Sequence, residues 1–182
     1  MRIEIPTIKD YFVKSSSVKS KGLNNKTETN LEKLKNKHAD IIEKHLDNYA
    51  AAVNSNSPWK WRKISGGEKL TAPQKAIIKQ VAIEKGLIPD VPMKLGTQYP
   101  DFKKAGLIIK SDELPEEMWL ASDKQQFKWL DDRIPGGRPP GTTWHHSEIP
   151  GKMELVPFGI HNSIFHKGGR SEGHWSYRSK GR

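Results

Sequence analysis

The 182-residue sequence contains no cysteine. Disulfides are therefore excluded, and so are iron–sulfur clusters and zinc sites built on thiolates. Long apolar runs are missing too. Hydrophobic residues make up 34% of the chain, and no run approaches the roughly 18 residues that a membrane-spanning helix needs. No signal-peptide core follows Met1, because charged and polar residues intervene at once. These absences predict a soluble chain without a membrane span. Export, if it occurs, would use a non-classical or contact-dependent route, and the chain could be the tip of a larger polypeptide. Acidic residues are the next shortage: 21 Asp and Glu face 31 Lys and Arg, for a net charge of +10. The imbalance per residue is greatest over residues 132–182, with 8 basic and 4 acidic groups. A positive field attracts polyanions, of which nucleic acid is the commonest. Charge alone is a weak signal, since a lysine run is usually a solvated face.

The length accommodates one or two domains. Residues 1–26 show no sustained periodicity and mix Ser15, Ser16, Ser17 and Ser20 with lysines, which reads as a loosely packed leader. A helix is predicted from Thr27 or Thr29 to about Val53. Leu31, Leu34, His38, Ile41, Ile42, His45, Leu46 and Tyr49 recur at threes and fours, and Thr29 with Glu32 has capping-box spacing. Thr71 caps a second predicted helix reaching Glu84 or Lys85, with Ala76, Ile77, Val81 and Ile83 as its apolar positions, Pro73 in its first turn and Gly86 at its end. Residues 88–106 read as loops, Leu107–Ile109 as a short strand, and Ser122 with Gln125 as the cap of a short helix ending near Leu130. A boundary falls between residues 60 and 90. Residues 1–60 form a helical or partly disordered region, and residues 61–182 a module of short elements with its core at 96–170.

Five of the seven histidines lie between His145 and His174. Thr142 to His146 suits the end of a strand. Pro150-Gly151 makes a turn, and Met153–Val156 returns as the second strand of a hairpin. Pro157 then opens a helix from about Phe158 to Phe165, which Gly168-Gly169 ends. The order is strand, strand, helix. Neighbouring side chains on a strand point to opposite faces, yet twist at a strand end lets both His145 and His146 border one cleft. His161 and His166 are five apart and share no helical face, so both reach one ion only if the helix ends between them. Phosphodiester hydrolysis needs an activated water, charge neutralisation and help for the leaving oxygen. An ion held by histidines supplies the last two, and a free neutral histidine the first. The plainer alternatives are ordinary core or surface histidines and a structural zinc site built from imidazoles.

The residues Trp144-His145-His146, Leu155-Val156-Pro157, His161 and His166-Lys167-Gly168-Gly169 resemble the HNH/endonuclease VII superfamily, specifically the toxin-type nucleases with a Trp-His-His motif. Upstream, Gly96 and Tyr99-Pro100-Asp101-Phe102 are similar to the Tyr-Pro-Asp-Phe element of the same domains. The resemblance covers about residues 96–170. It implies an α+β fold with a ββα-metal (His-Me finger) core like that of colicin DNases, joined here to a helical N-terminal region. It also implies a metal-dependent endonuclease, with DNA as substrate and RNA left open, acting as the toxin domain of an interbacterial competition system in the target-cell cytoplasm and countered by an immunity protein. Carried over, His145, His161 and His166 would be metal ligands, with His166 a phosphate contact as the alternative. His146 would be the general base. The superfamily often has an Asn midway between the paired residues and the helix. This chain has none between His146 and Pro157, so Glu154 or backbone groups must hold the hairpin loop. Three imidazoles favour Zn²⁺ or Ni²⁺, and Mn²⁺ or Mg²⁺ remain open as the one divalent cofactor.

The residues themselves suggest further roles. Arg170, following two glycines, is a candidate catalytic contact to phosphate, and so is Lys167. Trp144 is expected to pack beneath the site, Asp101 to fix a loop, and Tyr99 and Phe102 to be core. Arg138 is a candidate for the cleft border, and His174 has a weaker claim than its four predecessors. His38 and His45 are expected to be satisfied structural residues, and Glu116-Glu117 to be charge at a helical N-terminus. The competing function is a non-catalytic, zinc-structured nucleic-acid-binding module, in which His146 would have to be a ligand.

Overall fold

Thr29 accepts a hydrogen bond from the Glu32 amide and starts the first helix in a computed structural model that describes residues 29–179. The expected leader over residues 1–26 lies outside the described residues. The long predicted helix is two helices, α1 (Asn30–Lys37) and α2 (Ala39–Asn54), broken at His38. Burial gives the reason. α1 buries no residue and leaves Leu31 and Leu34 exposed, whereas α2 buries Ile42, Leu46, Tyr49, Ala50 and Val53. The shared apolar spacing therefore conceals a helix with a buried face behind one that buries no residue. His45 is buried as expected, but its Nδ1 has no hydrogen-bond partner among the described residues, so it is not the satisfied histidine the sequence suggested.

Helix α3 (Ala72–Glu84) carries the complete capping box of Thr71 and Gln74, with proline in its first turn. Gly86 follows its end at φ +66°, a conformation that costs a side-chain-bearing residue energy. α3 turns Ile77, Ile78, Val81 and Ala82 toward α2; Ala76, expected on that face, is exposed.

Three antiparallel strands, β1 (Lys110–Glu113), β2 (Thr142–His146) and β3 (Lys152–Pro157), form one sheet in the order β1-β3-β2. β1 lies just past the predicted Leu107–Ile109 strand. Its Lys-Ser-Asp-Glu sequence has no apolar alternation, and pairing with β3 decides its place. The β2–β3 hairpin aligns Trp144 with Leu155, His145 with Glu154 and His146 with Met153. Side chains alternate across a strand, so the sheet separates two cores. On one face Val156 joins Phe102, α2, α3 and Ile160 of α5 (Phe158–Ser163). On the other, Trp144, Met153 and Leu155 pack with Leu130 of α4 (Asp123–Asp131), a helix capped by Ser122 and Gln125. Helices and a small antiparallel sheet make the architecture α+β.

Helix α5 stops at Ser163, earlier than predicted, and the glycine pair at 168–169 lies beyond it. The segment after α2 fastens α5 in place. Asn56 Oδ1 accepts the Gly159 amide at 3.0 Å, and Asn162 donates to the Trp59 carbonyl at 3.1 Å. A Cβ on Gly159 would lie 1.8 Å from the Val53 carbonyl oxygen. Gly159→Ala is therefore expected to destabilise the protein by about 3 kcal/mol, as overpacking against backbone does. Urea unfolding at constant m-value measures this loss.

Candidate metal centre and active site

Strand β2 ends in adjacent histidines, and the two faces of the sheet give them different surroundings. His145, 3% exposed, lies on the face of α5. Its Nδ1 is 3.3 Å from Nε2 of His161 on that helix. Because α5 ends before His166, that residue comes back from the following loop, with its ring centroid 4.9 Å from that of His145 and 4.7 Å from that of His161. Ring nitrogens of the three lie within 4.8 Å of one another. Phe102 packs against all three rings, at centroid distances of 5.1, 6.1 and 6.5 Å. The core residue of the Tyr-Pro-Asp-Phe element is thus the apolar backing of the histidine cluster.

This donor set suits a divalent ion. Burial, followed by the neighbouring imidazoles, pushes His145 down to about 2 and His161 to about 3, and burial also lowers His166. At neutral pH the rings are uncharged and their lone pairs are available. His166 Nδ1 lies 2.9 Å from the Ile164 carbonyl, which can only accept. Nδ1 therefore carries the proton, and Nε2 is the nitrogen able to ligate. With no carboxylate in the cluster, the chemistry favours a borderline ion over a hard one. Three protein ligands leave further positions on an ion for water or substrate.

His146 is on the other face, between the rings of Phe127 and Trp175 at 5.9 and 5.8 Å. It nevertheless borders the same cleft of about 210 Å³, with Trp144, His145, His161, His166 and Arg170. Its Nε2 is 2.7 Å from Oε1 of the fully buried Gln126. The Gln126 amide orientation follows from its other partners. Nε2 donates to the carbonyls of Met118 and Trp119, both at 2.8 Å, and Oε1 accepts from Arg170 at 2.8 Å. His146 must then donate through Nε2–H, which leaves the lone pair on Nδ1. Burial, with Arg170 adding to it and Asp123 opposing, holds His146 down to about 4 and hence neutral at pH 7.

Arg170 lines the cleft but is heavily engaged. It donates to Asp123 Oδ1, to the Ser176 and Ala121 carbonyls and to Gln126. Gly168 lets this loop cross the end of β2, since a Cβ there would lie 2.4 Å from the His146 carbonyl oxygen. The Gly169 amide donates to that oxygen at 2.9 Å. The hairpin loop is held by Ser147 and Trp175. The Ser147 carbonyl accepts from Trp175 Nε1 at 2.8 Å, and its hydroxyl accepts from the Ile149 amide at 3.1 Å. Glu154 pairs instead with Lys152.

The remaining candidates separate cleanly. Trp144 is buried and donates to Asp131 at 2.8 Å. Arg138 pairs with the same Asp131 and lies over Phe127, away from the cleft. Asp101 accepts the Lys104 amide and fixes its loop. His174 stays outside the cluster, with Nε2 2.6 Å from the Tyr99 hydroxyl. Lys167 is exposed, and its amide donates to the Gln98 carbonyl.

Residues 135–176 match the family model described as WHH, a nuclease of the HNH/ENDO VII superfamily with conserved WHH. This segment is similar to the WHH nucleases. It contains β2, β3 and α5, all three clustered histidines, and His146 with Arg170. The match likens this segment to nucleases, and its three clustered histidines could hold a metal ion. Gln126 and Asp123 precede the WHH segment, and Phe102 precedes it further. Comparison with curated proteins and with solved structures yields no match. No helix among the described residues is long and apolar enough to cross a membrane.

Proposed function

We propose that the chain is a metal-dependent endonuclease that cleaves DNA, and that it serves as the toxin domain of an interbacterial competition system with a cognate immunity protein. The observation that carries the enzymatic reading is the division of labour between adjacent histidines. His145 joins His161 and His166, while His146 borders the same cleft with its Nε2–H held by Gln126. The strand–strand–helix order around them agrees with a ββα-metal core. Residues 61–182 would form the nuclease unit, buttressed by α2 through Gly159.

His145, His161 and His166 would hold the ion, which when bound would supply Lewis-acid stabilisation to the phosphate and the leaving oxygen. His146 receives the proton of the attacking water at Nδ1, the nitrogen its hydrogen bond leaves unprotonated. Gln126 Oε1 keeps the ring in that tautomer and faces the positive charge that develops on it. Arg170 fixes Gln126 and adds positive charge to the cleft wall where phosphate must lie. A zinc-structured binding module would need His146 as the fourth ligand. Its place on the opposite face of the sheet, outside the cluster of His145, His161 and His166, argues against that role.

The test is plasmid nicking by the full chain in Mg²⁺, Mn²⁺, Ni²⁺ and Zn²⁺, with chelated protein alongside. Cleavage with at least one ion and none after chelation is expected. Binding with no turnover in any ion would favour the non-catalytic module. Gln126→Leu is expected to lower kcat by about tenfold or more with ion affinity unchanged. It also removes one of the two donors to each of the Met118 and Trp119 carbonyls, which keep the Ala121 amide and the Ser176 hydroxyl respectively. It takes the buried acceptor away from Arg170 as well, a loss of about 1–3 kcal/mol that thermal unfolding would report.

A further inference from the structure

A second cleft, of about 480 Å³, opens at the far end of α5. Tyr49 and Trp61 stack in its wall, with centroids 4.8 Å apart and planes at 3°. Trp59 meets both edge-on. Lys60, Lys75 and Lys79 border it, and among the described residues no acidic side chain does. Lys75 Nζ stands 6.0 Å over the Trp61 ring. Lys79 donates to the Ser163 carbonyl at 2.9 Å and so ties this wall to the end of α5. On the α5 side stands Phe165, which is 95% exposed although it is a large apolar ring. The next residue is His166 of the cluster, one Cα step away. Flat aromatic faces beside lysines are the composition that stacks a base and neutralises its phosphate.

We propose that this aromatic, lysine-edged cleft receives an unpaired nucleotide of the substrate strand, beyond the scissile phosphate. The assignment rests on the nuclease reading and extends it to a substrate subsite. Charge complementarity favours a polyanion, and continuity through Phe165–His166 joins the cleft to the cluster. A strand with one phosphate at the histidines would reach the cleft within about one or two nucleotides. Its base would stack on Phe165 or Trp61, and Lys75 would face the adjoining phosphate. A duplex would have to open there, so single-stranded, frayed or distorted DNA would bind more tightly than intact duplex.

The experiment uses the full chain in EDTA, where metal-dependent turnover is blocked, and a short fluorescein-labelled DNA strand read by anisotropy across a salt series. Phe165→Ala should weaken binding about tenfold. Lys75→Ala should weaken it severalfold and reduce the slope of log K against log salt by about 0.7, and Lys75→Arg should restore both. Circular dichroism confirms that each variant is folded. Wild-type affinity and slope in both Phe165→Ala and Lys75→Ala would overturn the assignment, as would tighter binding of intact duplex. An acidic protein as the true occupant predicts that same insensitivity of DNA binding. The two readings fail separately. A wild type that nicks plasmid while both variants bind normally sinks only the cleft assignment. A wild type that fails to nick plasmid in any of the ions, while the variants show these binding losses, sinks the nuclease reading and supports the cleft.

Discussion

His146→Ala is expected to reduce DNA cleavage by roughly 10²–10⁴-fold, the usual contribution of a positioned general base, while divalent-ion affinity stays near that of the wild type. The expectation follows from the register of β2. His145 turns toward α5 and the other two clustered histidines, so alternation sends His146 to the opposite face. There its Nε2 is taken by Gln126, and the cluster does not include it. Removing the ring leaves all three clustered imidazoles in place. The cost to stability is expected to be modest, because the ring fills space between Phe127 and Trp175 but anchors no strand. Paired plasmid nicking and ion titration check the result. An H146A protein that cleaves at the wild-type rate would remove the role assigned here.

His161→Ala is expected to behave in the opposite way, losing ion affinity first and activity as a consequence. Loss of an outer-shell partner of a metal ligand costs about 10–100-fold in affinity, and loss of a ligand itself should cost more. His161 and His145 face each other at 3.3 Å, so no other side chain of the cluster can replace the missing nitrogen. His161 sits on a helix surface where Ala keeps the backbone intact, which makes it a cleaner probe than the more buried His145. Competition against a chromophoric chelator measures the loss. Activity partly recovered at high ion concentration would separate lost binding from lost chemistry. An unchanged affinity would mean that the ion is held elsewhere.

Local chemistry in the sequence was enough for several elements. Thr71, and Ser122 with Gln125, gave helix starts that the structure keeps, because a cap is satisfied by residues within one turn. The hairpin followed from Thr-Trp-His-His, the Pro150-Gly151 turn and the apolar return strand. The same reading merged α1 with α2, since periodicity reports that a face is apolar and not that something covers it. It also placed a strand slightly too early, because β1 exists only by pairing with β3.

By itself the sequence determined that this is a basic chain without thiolate chemistry, whose Trp144–Gly169 segment carries a nuclease motif on a hairpin and helix. The charge, the missing thiols and the hairpin–helix order are properties of composition, spacing and local turns, and the nuclease motif is a family resemblance. Only the tertiary structure decided what surrounds each histidine. His145 and His146 are indistinguishable as neighbours in a string. The alternation of β2, the early end of α5, and Gln126 arriving from a separate helix give one of them two histidine neighbours and the other a fixed tautomer. Gln126 carries no local signal, and the sequence marked Phe102 only as core, because their contacts with the histidines are ones that only chain folding can bring together.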